Sequence, residues 1–208
     1  MVERDYLDNL KKYMRTIEDK IKVIKIDDKK IKALKEILGH FAKLLKFVSE
    51  VIKNSANKHI EQLNLNKEEL REIIQALEKL EDKTGETGGN KSQLYLSIEK
   101  SIRILKEYES GISKNISHEE RYIKLAESLL EIANILRMAE QTIEDVETLW
   151  DIFEILSKLI CALHPVLLHL TTISAEFKNE TYREFGKIDK SIEVQLVPEI
   201  KHNIMRYR

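Results

Sequence analysis

Ile31, Leu34, Leu38, Phe41, Leu45, Val48 and Ile52 recur at alternating steps of three and four residues. That spacing holds apolar side chains on one face of an α-helix. It predicts a helix opening at the aspartate pair Asp27–Asp28, whose carboxylates suit an N-terminal cap. Ile37, Leu44 and Val51 add a second apolar row, so the buried face is wide enough for two or more neighbours. A surplus of that size also makes these three residues candidates for an interface with a partner or with a second copy of the chain. Upstream, Tyr6, Leu10, Tyr13, Ile17, Ile21 and Ile24 predict a helix over residues 3–24.

The pattern continues in helical period downstream. Asn66, with Glu69 three residues on, resembles a capping box before Leu70, Ile73, Ile74, Leu77 and Leu80. Residues 84–91 read as a polar, glycine-rich loop. The chain reads as one domain over 1–208, and this loop is where it would divide into halves 1–83 and 92–208. Leu94, Ile98, Ile102, Leu105 and Tyr108 predict a helix from Ser92 to about Ser110, stopped by Gly111. Ser117 with Glu120 forms a second capping box. Leu125, Leu129, Ile132, Leu136, Ala139, Ile143, Val146, Trp150 and Phe153 then hold heptad spacing. They fit one long helix, or two with a fresh start at Thr142 and Asp145. Pro165 is expected to kink or end that element, because it lacks an N–H donor and crowds the preceding turn. A further helix is expected from Val166 into the Arg183 region. Residues 191–197 alternate like a strand, but a lone strand has no partner, so extended chain or helix is expected there. Pro198 suits the start of a short final helix.

Six glycines and two prolines in 208 residues leave few sharp turns, so the elements must be few and long. The fold expected is therefore all-α: an elongated bundle of about six helices with coiled-coil-like packing.

Charge is balanced overall, at a formal −1, so no whole-protein field draws the chain to nucleic acid or to an anionic membrane. It is uneven along the sequence. Residues 1–60 carry 15 Lys and Arg against 9 Asp and Glu, whereas residues 61–160 carry 13 against 21. The plain expectation is a basic hairpin lying against an acidic one, within the bundle or across an oligomer. The alternative is a basic surface for an acidic partner. Lysines are densest at 20, 22, 25, 29, 30, 32 and 35, with Lys29, Lys30 and Lys32 as the candidate contacts. Asp27 and Asp28 interrupt the run, and it holds no aromatic residues for base stacking, which argues against single-strand nucleic-acid binding.

Chemistry adds little. Cys161, His164 and His169 do not share one helical face, and zinc would need a further ligand. Glu36 and His40, four apart, fit a surface pair on one helix. Glu199-Ile200-Lys201-His202 matches half of a di-iron bundle motif, which requires a second copy. Neither a nucleophile elbow nor a phosphate-binding glycine pattern occurs. The reading is of a non-enzyme, with no cofactor, metal or small-molecule substrate. The one cysteine excludes a disulfide framework, and the charged N-terminus lacks the apolar core of a signal peptide. A cytoplasmic protein is expected.

Residues 159–173 carry no charge, and at 15 residues they fall short of the ~20 that span a bilayer as a helix. Trp150, late in a long helix, resembles an arrangement in helical pore-forming toxins, although the Gly88–Gly89 loop lacks the apolar tongue such toxins insert. That resemblance implies membrane insertion by residues 150–173. The leading expectation is instead a scaffold or adaptor that binds protein or self-associates.

Overall fold

The computed structural model of the protein describes residues 28–55, 65–85, 92–114 and 116–191. They form an all-α bundle, with no strand among them. Its helices are α1 (Asp28–Ser55), α2 (Lys67–Gly85), α3 (Gln93–Lys114), α4 (His118–Thr142), α5 (Val146–Ile173) and α6 (Ala175–Ser191). The helix expected over 3–24, the loop residues 86–91, the 192–197 segment and the final helix at Pro198 lie outside the described residues.

Side-chain caps start five of these helices. Each supplies an acceptor for one of the N–H groups that a first turn leaves without an intrahelical partner. Asn66 Oδ1 accepts from Glu68 N–H at 2.8 Å, and Ser92 Oγ from Tyr95 N–H at 3.2 Å. Ser117 Oγ accepts from Glu120 N–H at 3.2 Å, and Ser174 Oγ from Phe177 N–H at 3.1 Å. Asp145 Oδ1 accepts from Thr148 N–H at 2.7 Å.

This last bond resolves the long heptad stretch into two helices. The cap is Asp145 and not Thr142, whose hydroxyl turns back to the Met138 carbonyl at 2.9 Å. The apolar rhythm crosses the break because Ile143 and Leu149, on either side, are both buried in the same core. Periodicity reports burial, not continuity of the backbone.

Two expected stops are not stops. Gly111 lies inside α3 and is buried. A Cβ there would collide with the Ile116 side chain, so glycine serves close packing against the α3–α4 connection. Pro165 lies inside α5, which continues to Ile173. Pro165 is exposed, so the carbonyl it leaves without a helical donor, that of Cys161, lies on the watered side of the helix. The break falls instead at Ser174, where an extended residue separates α5 from α6.

Around the bundle the neighbour order is α1, α4, α3, α2, α5, α6, with α6 returning to α1. Cross-helix contacts run antiparallel at each tested step. Gly39 faces Glu140 and Ser49 bonds the Ala126 carbonyl; Lys100 meets Glu131 and Glu107 meets Lys124. Arg71 meets Glu109 and Glu78 meets Lys106; Glu72 meets Lys158 and Lys83 meets Glu147. His40 meets Glu184 and Phe47 stacks on Phe177.

One apolar cluster draws on all six helices, including Phe41, Leu77, Leu105, Leu129, Phe153 and Phe177. Helices from both sides of the glycine-rich loop interleave in it: α1 packs on α4 and α6, and α2 packs on α5. Truncating a fully buried member such as Leu45 or Phe41 to alanine removes about 2–5 kcal/mol of stability.

Candidate functional site

The apolar interface candidates are core residues. Ile37 is 0% exposed and Leu44 1%, while Val51 is half-buried against the same cluster. The second apolar row exists because α1 has three neighbours within its own chain, α4, α5 and α6. It is not left over for a partner.

The charges divide the molecule differently from the expected basic-against-acidic hairpins. Helices α2 to α5 pair many of their cations with carboxylates. Lys79 and Lys83 of α2 reach the buried Asp151 of α5 at 3.0 and 2.6 Å. Lys83 also meets Glu147 at 2.8 Å, and Lys158 lies 3.5 Å from Glu154. Between α2 and α3, Arg71 meets Glu109 and Lys106 meets Glu78, both at 2.7 Å. Between α3 and α4, Lys100 meets Glu131 at 2.5 Å and Lys124 meets Glu107 at 2.7 Å. The hydrogen bond to Asp151 is the main reason Lys79 and Lys83 are raised above the usual lysine range. The hydrogen bond from Lys124 likewise lowers the Glu107 carboxyl.

α1 stands apart. It carries seven lysines against Asp28, Glu36 and Glu50. Lys32, Lys35, Lys43, Lys46 and Lys53 make no ion pair among the described residues, and all but the half-buried Lys35 are exposed. At 3.6 residues per turn these five fall within about 80° of the helix circumference. They run for roughly 32 Å along it. α4 packs on one side of this arc through Ser49, and its Glu140 reaches over the middle of the arc at Gly39; α6 packs on the other side through Phe47 and His40. Of the sequence candidates, Lys32 belongs to the row. Lys30 is half-buried, and the side chain of Lys29 lies outside the described set, as do residues 20–25. Lys43, Lys46 and Lys53 were not singled out by lysine density. Their signal was helical spacing, 11 residues from Lys32 to Lys43 and from Lys35 to Lys46.

His40 pairs across the bundle, not along its own helix with Glu36. Its Nδ1 lies 3.2 Å from Glu184 Oε2 of α6, and Lys187 Nζ reaches the other oxygen at 2.5 Å. Burial pushes the Glu184 carboxyl up, but the bonds from Lys187 and His40 outweigh it, and the net shift is downward. At the far end of the bundle Tyr108 accepts the Leu65 N–H at 3.3 Å, and burial raises its phenol.

Cys161, His164 and His169 are each half-buried on α5. No group of three His, Cys, Asp or Glu side chains suited to a metal ion occurs among the described residues. The Glu199–His202 motif lies outside them. An open groove of about 570 Å³ lies along α3, lined by Arg103, Lys106, Lys124, Glu99, Glu107 and Glu120 among others. Two of its three cations are engaged by carboxylates, so its walls carry no strong sign.

Taken whole, α5 is longer than the charge-free 159–173 run, which it extends toward the N-terminus through Glu147, Asp151, Glu154 and Lys158. Val146–Thr172 suffices by length and composition to cross a membrane, and 61% of its apolar window is buried within the bundle. No family model matches the chain, nor does any curated protein or solved structure.

Proposed function

We propose that this chain is a non-enzymatic interaction bundle, of scaffold or adaptor type, that holds an acidic protein partner against the outer face of α1. The observation that carries the reading is the row Lys32, Lys35, Lys43, Lys46 and Lys53, without ion pairs among the described residues, on a protein where Lys79, Lys83, Lys100, Lys106, Lys124 and Lys158 of other helices meet carboxylates. A solvated lysine row is ordinary on an isolated helix. Here those lysines of α2 to α5 meet carboxylates, and the α1 row does not. An unmatched cationic row draws anionic surfaces and speeds their encounter.

The test is retention on immobilised polyglutamate in low salt. The native protein is retained and salt releases it, while a variant with Lys32, Lys43, Lys46 and Lys53 changed to glutamate flows through. The same number of reversals among Lys67, Arg71, Lys100 and Lys106 leaves retention in place. Equal retention of all three proteins would remove the reading.

A second reading has its own support. α5 is long and apolar enough to cross a bilayer, so the chain could engage membranes through residues 150–173, with α1 contacting anionic headgroups. It requires α5 to leave a core in which Leu149, Phe153, Leu156 and Leu163 are fully or almost fully buried. Nucleic-acid binding through the lysines has no feature of its own beyond their charge.

A further inference from the structure

Four charged side chains are buried among the described residues: Arg121, Glu131, Asp151 and Glu184. Glu131 meets Lys100, Asp151 meets Lys79 and Lys83, and Glu184 meets Lys187 and His40. Arg121 of α4 has no counter-charge among the described residues. It is 9% exposed, and its Nε–H is buried without an acceptor. Its Nη2 donates to the ring of His118, 2.8 Å from Nδ1. A buried ion without a paired charge is strongly destabilising. A guanidinium only donates, so the His118 nitrogen is the acceptor and the ring is neutral in that contact. A neutral ring satisfies one donor and leaves the charge uncompensated.

His118 is the exposed first residue of α4, and side chains on a helix lean toward its N-terminus. The guanidinium therefore lies against the first turn, beside N–H groups that no intrahelical carbonyl takes and at the positive end of the helix. The Arg121 charge also reaches the fully buried Tyr108. That phenol accepts the Leu65 N–H and gives its own proton to no described residue. Donors converge here and acceptors are missing. His118, being exposed, can turn into water and vacate Nη2.

Glu119 and Glu120 share this turn and are exposed. With one arginine to offset them, they tolerate the approach of one negative charge and oppose a second. That favours a carboxylate over a dianionic phosphate, and a carboxylate also matches the fork of guanidinium N–H groups.

We propose that Arg121 anchors a carboxylate-binding site at the first turn of α4, in which the ligand's carboxylate replaces the His118 ring on the guanidinium. The site is separate from the α1 lysines and does not depend on their role. A small organic acid and an acidic side chain of another protein offer it the same chemistry.

The Arg121 Nε–H resonance of the intact protein, assigned through bonds from its own backbone amide, reads the site. Sodium acetate is titrated against sodium chloride at equal ionic strength. Acetate is expected to shift the resonance until it saturates, and chloride to leave it in place. His118→Ala removes the competing acceptor and should tighten acetate binding by at least about threefold, the scale of one net hydrogen bond. Arg121→Met removes the charge and keeps an apolar stem. It should melt no lower than the native protein in chloride and lose the rise in melting temperature that acetate gives. If polyglutamate shifts the resonance and acetate does not, the carboxylate belongs to an acidic protein. If inorganic phosphate at pH 8 acts at lower concentration than acetate, the ligand class is overturned. If no anion shifts the resonance, or His118→Ala weakens acetate binding, the site is overturned.

Discussion

The Glu140 carboxylate of α4 lies directly over Gly39 of α1: a Cβ at position 39 would come within 2.5 Å of Glu140 Oε1. Gly39 sits in the middle of the lysine arc, one turn from Lys35 and one from Lys43. The bundle's own carboxylate therefore occupies the gap in the row. Glu140 makes no hydrogen bond or ion pair among the described residues.

Glu140→Gln is accordingly predicted to tighten binding to polyglutamate, by about threefold at low salt, a scale set by one charge acting over a helical turn near water. Its sign is opposite to that of any lysine reversal. Salt-dependent retention of the two variants side by side checks it, and weaker binding by Glu140→Gln would show that α1 is not the contact.

The Glu184 carboxyl predicts a response to acid. Its folded value is depressed, so below the ordinary carboxylate range the unfolded chain takes up the proton more readily. The stability it lends is fully present above the unfolded value of about 4.3 and lost as pH falls through the lower folded value. Protonation removes the acceptor that His40 and Lys187 share, loosening α6 from α1. Thermal melts of the native protein should fall more steeply below pH ~4 than those of Glu184→Gln. Parallel curves would place the acid sensitivity elsewhere.

Thr181 is fully buried on the same helix, and its hydroxyl has no partner among the described residues. A buried hydroxyl without a hydrogen bond costs about 1–3 kcal/mol in desolvation. Thr181→Val keeps the shape and removes that cost, and should stabilise the fold by about 1 kcal/mol in chemical denaturation. A loss of stability would mean that the hydroxyl is satisfied.

Asp151 shows the converse case. It is buried, and two lysines of α2 converge on it, at 3.0 and 2.6 Å. Asp151→Ala leaves both ammonium groups near the surface, where water can take them, so the loss is moderate, about 2 kcal/mol. Lys79→Ala alone should cost less, because it is more than half exposed and Lys83 still holds the carboxylate. Denaturation of the two variants, read together, tests that ranking.

The helical class and the caps at Asn66 and Ser117 were legible because they are local: apolar period and a side-chain oxygen at the right offset suffice. The division of the last third into α4, α5 and α6 was not, because the breaks at Asp145 and Ser174 leave the apolar period unbroken. The stop expected at Gly111 and the end offered for Pro165 were misread because such signals are local. Whether glycine ends a helix or admits a neighbour depends on Ile116 across the turn, and whether proline is tolerated depends on which side of α5 meets water. The candidate surface was half legible. Lysine density pointed to α1, but which lysines lack partners is decided by carboxylates distant in sequence. Excess apolar residues pointed to Ile37 and Leu44 as an interface because sequence counts rows, not the neighbours that cover them.

The two functional readings separate at Cys161, the chain's one cysteine, half-buried on α5. A thiol-reactive, environment-sensitive fluorophore therefore reports on α5 without further mutation. If the chain acts through α1 alone, α5 stays in the bundle. Phosphatidylserine vesicles should then leave the emission unchanged and lipid-borne quenchers without effect. Insertion of residues 150–173 instead requires Cys161, near the middle of that segment, to enter hydrocarbon. The emission would shift to the blue and become quenchable from the lipid phase. Releasing α5 also exposes the apolar face that it buries, at about 25 cal/mol per Å² of that surface, before any lipid contact offsets the cost. A blue shift at vesicle concentrations that leave α1 unbound would overturn the protein-partner reading, and an unchanged spectrum would remove the membrane one.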